Sequence, residues 1–337
     1  MSTLVVKAPS GAPFVTVEIL GGLGNQLFQI CALVSYCLEH DRPFMFEVAA
    51  PIRVGQRKKT YWDTPLLRHL MLQAQTASLE RPAAAAGLFL KESGFAYSPL
   101  PPPPPSALAL ALAPASALAL APAPCKLLGY FQSYKYFLAH EAAILQLLKI
   151  RDLQQTVLAK KQTATATATA TAATGACTTT VAMHFRLGDY MIQPQNYVKQ
   201  PLAYYRAALE DLLEASSMVA TTEPSSMVAT LQIHYFCEPG DRAVVLAHYI
   251  APLQALFPAV TFVSGAADTV PDWLQLVLMS LCSHTIMANS TFSWWGAYLN
   301  AAPLKRVYYP ADWFGCALKT RCQLVDLCLP SWRAITV

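Results

Sequence analysis

The apolar positions of the chain recur with two different periods. Val15, Val17 and Ile19 alternate with polar residues, which predicts a strand over 15–20. Leu27, Phe28, Cys31, Val34 and Leu38 then recur at helical spacing, which predicts a helix over 25–40, and residues 44–47 return as a strand. That order is a β-α-β unit, for which a right-handed crossover is expected. Beyond residue 179 the alternation is regular. Strands are predicted over 180–184, 232–237, 260–264, 285–288 and 306–309, with helices over 202–215, 243–257, 272–282 and 291–301. Strands separated by single helices predict a parallel sheet covered on both faces. The expected fold class is therefore α/β, two Rossmann-like domains with parallel sheets facing across a cleft. Ligands of open α/β sheets bind at the carboxyl ends of the strands, so the loops after His184, Cys237, Ser264 and Ala288 are where chemistry is expected.

Segments of biased composition interrupt this pattern. Residues 99–124 are a Pro/Ala/Leu insert, residues 164–173 alternate Thr and Ala, and Ser-Ser-Met-Val-Ala-Thr occurs at 216–221 and again at 225–230. They inflate the hydrophobic fraction, 54%, without adding a usable period. Pro114, Pro122 and Pro124 break the apolar run of the insert, so a Pro-rich linker is expected there and not a membrane span. The expected organisation is a tail 1–13, an N-terminal Rossmann-like domain 14–160 holding the insert 99–124, a Thr/Ala-rich linker 161–179 entered from a helix over 141–158, and a C-terminal domain 180–337 holding the repeat insert 216–230.

Charge and cysteine content narrow the class further. A net charge of +4 is too small and too dispersed to argue for nucleic acid. The nine cysteines form no Cys-x-x-Cys pair, and Cys31 and Cys282 occupy apolar helix positions, so buried thiols are expected rather than a disulfide framework or a zinc site. Residues 1–13 carry one lysine and no apolar run, so neither a signal peptide nor an anchor is expected there, which reads as a soluble, cytoplasmic chain.

Three motifs fall at predicted strand ends. Residues 21–29 read Gly-Gly-Leu-Gly-Asn-Gln-Leu-Phe-Gln. Gly22 and Gly24 allow close backbone approach, the helix that follows favours negative charge at its start, and Asn25 and Gln26 offer amides. As a dinucleotide fingerprint it lacks the third glycine, where Leu27 stands, although Glu47 at the end of the next strand is placed as a ribose-binding acid would be. Residues 184–190 read His-Phe-Arg-Leu-Gly-Asp-Tyr. Arg186 offers a planar, permanently charged fork to a departing diphosphate, Gly188 makes the turn, and His184 and Asp189 flank it. Residues 289–297 read Asn-Ser-Thr-Phe-Ser-Trp-Trp-Gly-Ala; Asn289 or Ser290 caps a helix, and Thr291 and Ser293 add hydroxyls to a second anion cradle. Trp294 and Trp295 read as packing residues. No Asp-x-Asp pair occurs, which leaves arginine and helix starts to hold a diphosphate without a metal.

Together the three motifs resemble glycosyltransferase family 11, the α-1,2-fucosyltransferases, with weaker echoes at 129–133, 310–314 and 330–332. The resemblance implies a GT-B-type pair of domains, an N-terminal acceptor-side domain, and a C-terminal domain that binds the donor. It implies GDP-L-fucose as donor substrate with no separate cofactor, a galactose-containing glycan as acceptor, and metal-independent inversion. Arg186 carries over as the diphosphate-binding arginine, lined by His184 and Asp189, with Asn25 and Gln26 from the facing domain. The acceptor hydroxyl is expected to lose its proton to a carboxylate or a histidine, with Asp189 the first candidate for the general base, Glu238 the second, and His184 also in the catalytic set. Leu187 stands where many members have a second arginine, and residues 238–241 replace a more Asp-rich turn. Animal members of the family carry an N-terminal membrane anchor and act in the Golgi, so the resemblance implies Golgi membrane association as the alternative location, with a peripheral membrane association kept among the partners. The competing readings are an NAD(P)-dependent oxidoreductase with a degenerate fingerprint and an inactive glycan- or nucleotide-binding relic.

Overall fold

The computed structural model describes residues 14–48, 52, 59–73, 75–76, 88–103, 124–168, 178–220, 230–320, 322 and 324–337. The tail 1–13, most of the insert 99–124, residues 169–177 of the expected linker and residues 221–229 of the repeat lie outside the described residues. The chain divides into two compact units, one of Met1–Arg151 with Gln323–Cys328, the other of Asp152–Cys322 with Leu329–Val337.

In the first unit β1 (Val15–Val17), β4 (Leu88–Lys91) and β5 (Cys125–Leu128) form a parallel sheet in the order β1-β5-β4. A parallel bridge from Val15 to Phe44 extends it toward β2 (Met45–Phe46), which pairs with β3 (Gln75–Thr76). The helix Leu23–Glu39 is buried over most of its circumference, not along one stripe. A helix apolar all round belongs inside a core, and Leu27, Phe28, Ile30, Leu33 and Val34 are almost wholly buried here. Each such side chain contributes roughly 1.5–3 kcal/mol. The helix ends on Asp41, at φ 49°, with the Arg42 N–H donating back to the Cys37 carbonyl at 2.9 Å. This left-handed stop satisfies carbonyls that the last turn leaves open.

The second unit holds a six-stranded parallel sheet. Its strands are β6 (Thr178–His184), β7 (Thr230–Phe236), β8 (Thr261–Ser264), β9 (His284–Ile286), β10 (Val307–Pro310) and β11 (Arg333–Ile335), in the order β11-β10-β9-β6-β7-β8. Numbered one to six within the unit, the order is 3-2-1-4-5-6, that of a dinucleotide-binding Rossmann fold. The molecule is thus α/β with a parallel sheet in each unit, as the sequence pattern predicts. Alternation along β6 sends Val181 and Met183 toward the helices Leu202–Ala220 and 242–256. Ala182 faces Met279 and Cys282, on the side of the helices Asp272–Ser280 and Thr291–Tyr298.

Three local expectations change. The helix expected over 141–158 is two helices, Glu141–Leu147 and Ile150–Ala168, separated at Lys149 with φ 50°. The second runs into the stretch assigned to a linker from 161. The division between the units falls earlier, at Arg151, because Gln154 is buried in the second unit and donates to Ser280 Oγ at 2.8 Å and the Leu299 carbonyl at 3.0 Å. The helix over 243–257 contains a π-helical turn, Leu246–Ile250, directly before Pro252. A wider turn accommodates a proline ring that would clash in an α-helix. Among the described residues no helix is long and apolar enough to cross a membrane. Cys31 and Cys282 are buried, and none of the described cysteines is in a disulfide.

Candidate functional site

In a 3-2-1-4-5-6 sheet the crevice opens where the strand order reverses, between the first and fourth strands. Here these are β6 and β9, paired in parallel through Val181–Met183 and His284–Ile286. The second motif follows β6 and the third follows β9, so the topology brings together segments about a hundred residues apart. Contacts between described residues join them. The Tyr190 hydroxyl donates to the Asn289 carbonyl at 2.6 Å, and the His184 and Phe292 rings lie 5.5 Å apart.

Arg186 leaves the end of β6 half-buried and ion-pairs with Glu238, at the end of β7. Its guanidinium also lies 5.7 Å over the Tyr190 ring, itself stacked on Tyr197 at 4.5 Å. The Gly188 N–H opens the helix Gly188–Ile192 and donates to Asp241 Oδ2 at 2.9 Å. Asp189 falls in that helix; its side chain lies outside the described residues. His184 is 5% exposed on the same side of the sheet as Phe292, and its Nδ1 is buried without a hydrogen-bond partner. Burial, reinforced by Arg186, lowers its pKa to about 3, so the ring is neutral near pH 7 and a poor proton acceptor.

The third motif is partly structural. Ser290 is the N-cap of the helix Thr291–Tyr298, its Oγ accepting from the Phe292 N–H at 3.3 Å. Ser293 is fully buried and donates to the Ala288 and Ser290 carbonyls, both at 3.1 Å. Asn289 donates through Nδ2 to the carbonyls of Val198 at 2.9 Å and Trp313 at 2.8 Å, while its buried Oδ1 has no partner. Thr291 is half-buried at the helix start. Trp294 and Trp295 are buried, with Trp294 stacked 4.7 Å from Tyr298, so both pack the core as expected. Motif reading passed over Asp241, Tyr190 and Arg242. The last donates to Asp268 Oδ1 at 3.0 Å and Ser264 Oγ at 2.9 Å across the ends of β7 and β8. The rule that ligands sit at strand ends already pointed to these loops.

In the first unit the glycine-rich turn after β1 is occupied by its own fold. Gly21 has φ 74°, and a Cβ there would lie 2.4 Å from Asn25 Nδ2, so only glycine fits. Gly22 is the exposed N-cap of the helix and Gly24 is buried in its first turn. Gln26 is fully buried and donates to the Gly21 carbonyl at 3.0 Å and the Lys59 carbonyl at 2.8 Å. Asn25 Oδ1 accepts from Gln132 at 3.0 Å. Gln29, buried as deeply, accepts from the Leu20 N–H at 2.9 Å and donates to the Gly129 carbonyl at 3.2 Å. Glu92 Oε2 accepts from the N–H groups of Tyr130 and Phe131 at 2.8 and 2.9 Å, and burial raises its pKa. Leu27 is buried where a dinucleotide fingerprint needs glycine, and Glu47 is ion-paired with Lys126 at 2.8 Å.

With this geometry in place, the comparisons with known proteins fall into one group. The sequence model of glycosyl transferase family 11 matches residues 260–308, from the approach to β8 through β10. An α-1,2-colitosyltransferase of Escherichia coli is 25% identical over 192 residues, 56% of this chain and 56% of that protein. The galactoside α-(1,2)-fucosyltransferase 1 of Homo sapiens is 27% identical over 124 residues, 36% of this chain and 29% of that protein. The Arabidopsis thaliana FUT1 structure in complex with GDP aligns with TM-score 0.43 and 10% identity, covering 97% of this chain and 77% of that one. The chain spans about half or less of the length of the curated relatives it matches. The matches support a protein of glycosyltransferase class. The similarity to glycosyl transferase family 11 is carried by the stretch of the second unit from β8 into β10, which includes the third motif.

Proposed function

We propose that this chain transfers L-fucose from GDP-L-fucose to a galactose hydroxyl of a glycan, as a galactoside 2-α-L-fucosyltransferase working with inversion and without a metal ion. The observation that carries the reading is the Tyr190–Asn289 hydrogen bond, which ties the segment bearing Arg186 to the segment that starts the helix Thr291–Tyr298 at the switch point of the second sheet. A nucleoside diphosphate leaving group gains negative charge as the sugar bond breaks. A fixed guanidinium offsets that charge where it develops, in a site already shaped for it. The buried His184 Nδ1 and Asn289 Oδ1 have no partner within the fold and would serve a bound nucleotide-sugar. In the displacement the acceptor hydroxyl gives its proton to a carboxylate, for which Asp189 remains the first candidate and Glu238 the second. A neutral His184 is suited to orienting the donor rather than to taking that proton.

The oxidoreductase alternative is disfavoured by Leu27, buried where the fingerprint needs a glycine, and by Glu47, whose carboxylate is paired with Lys126. The experiment is transfer by the purified chain onto a panel of β-galactosides, with fucosyl and colitosyl donors run in parallel, with and without a chelator. Fucosyl transfer that survives the chelator is the expected result. Preference for the colitosyl donor would move the sugar specificity to that of the bacterial relative, GDP binding without transfer would mean an inactive relic, and NAD(P)H binding would revive the oxidoreductase.

A further inference from the structure

Both groups with which the second motif would hold a phosphate are already engaged by carboxylates from one loop. Arg186 Nη1 donates to Glu238 Oε1, and the Gly188 N–H donates to Asp241 Oδ2 at 2.9 Å. The two acids border the same turn: a methyl group placed on Gly188 would lie 3.7 Å from Asp241 Oδ2 and 3.8 Å from Glu238 Oε2. The loop is built to present them together. Glu238 is extended at φ −65° and ψ 147°, Pro239 starts a 3-10 turn Pro239–Asp241, and the Asp241 N–H closes on the Glu238 carbonyl at 3.0 Å. Arg242, next along the chain, is directed to Asp268 and Ser264 instead.

We propose that the loop 238–241 is a built-in competitor for the donor's phosphates, its two carboxylates holding the arginine and the N–H that a diphosphate must take. The inference rests on the donor reading above. Water reaches the pair, with the side chains of Arg186 and Glu238 23% and 29% exposed, so exchange of carboxylate for phosphate requires no opening of the core. A ligand with two adjacent phosphate groups can displace both acids at once, whereas a weaker or singly charged anion leaves the loop in place. The site therefore stays closed to ordinary anions while remaining open to a nucleoside diphosphate.

The test is calorimetric titration of GDP, at low salt, into the full chain and into Glu238→Gln and Asp241→Asn, with thermal unfolding of each protein measured alongside. Glu238→Gln is expected to bind GDP about fivefold more tightly, the affinity equivalent of one partly exposed ion pair, and Asp241→Asn to tighten it by less. Wild-type binding with unchanged or weaker affinity in both folded variants overturns the competitor and leaves the donor reading standing. No GDP binding by any of the three proteins overturns both. If Glu238→Gln does not fold, Asp241→Asn decides alone, because it removes a charge from the same loop while keeping an oxygen that can accept from Gly188.

Discussion

Two glycine-containing turns follow the first strand of each unit, and they do opposite things with their polar groups. After β6, the motif presents Arg186 and the Gly188 N–H at a strand end that water reaches, and their partners are carboxylates which a phosphate can replace. After β1, Gln26 and Gln29 are sealed and bonded to backbone at Gly21, Lys59, Leu20 and Gly129. The difference teaches that a motif's conspicuous amides can serve as internal latches for neighbouring loops. A buried amide nitrogen whose partners are backbone carbonyls is expensive to disturb, which holds for Gln26, its Oε1 buried without a partner, as it does for Asn289.

The comparison can be broken most directly at Arg186. Arg186→Ala should lower the transfer rate about 10²- to 10³-fold, or roughly 2.7–4 kcal/mol of barrier, with the unfolding midpoint little changed. A rate near that of the wild type would remove the arginine from the mechanism. Gln26→Ala should act in the other sense, costing about 2–3 kcal/mol of stability by leaving two carbonyls unpaired and a small cavity, with GDP affinity retained below its melting temperature. Normal stability with lost GDP affinity would make Gln26 a ligand contact and reverse the contrast.

Next in size is a pH effect from His184. Its pKa is about 3 in the fold, against about 6.5 for an unfolded histidine. Between those values the unfolded chain binds the extra proton, so stability is full above about pH 6.5 and falls by about 1.4 kcal/mol per pH unit as pH drops toward 3. His234, lowered to about 4 by burial, and His284, also lowered, act in the same direction. Urea midpoints between pH 7.5 and 5 should therefore fall less steeply for His184→Asn than for the wild type, and parallel slopes would show that His184 is not held neutral by the fold. The smallest effect is expected from Ser290→Ala, which removes the cap of the helix Thr291–Tyr298 and should cost about 1 kcal/mol.

Periodicity made the second sheet legible from β6 to β10, because each strand is followed by a helix long enough to register. It missed β11, since Arg333, Ala334 and Ile335 are too few to alternate and only Ile335 is buried. It missed β4 and β5, which flank the Pro/Ala/Leu insert and are four residues each. The break at Lys149 carries no glycine or proline, and apolar residues run on both sides of it, so nothing in the local sequence announces it. Within the candidate site, Arg186, Gly188 and Asn289 stand out in the sequence because a diphosphate would call for those residue types at strand ends. The engagement of Arg186 by Glu238 does not, because it depends on β6 and β7 being neighbours, with Phe236 registered opposite His184. Nor could alternation alone decide which face His184 takes; the ring contact with Phe292 does.

The excursion of residues Gln323–Cys328 into the first unit has a consequence for biogenesis. Asp326 accepts from the Tyr97 N–H at 3.1 Å and pairs with Lys135, and residues further on supply β11 to the other unit. A ribosome makes the chain from the amino end at roughly 5–20 residues per second. The first unit therefore waits for more than half of the sequence to be translated before its last contacts exist, and the six-stranded sheet is finished later still. Neither unit can be completed in isolation during synthesis, so the chain must keep an open first unit soluble until residues past 322 emerge.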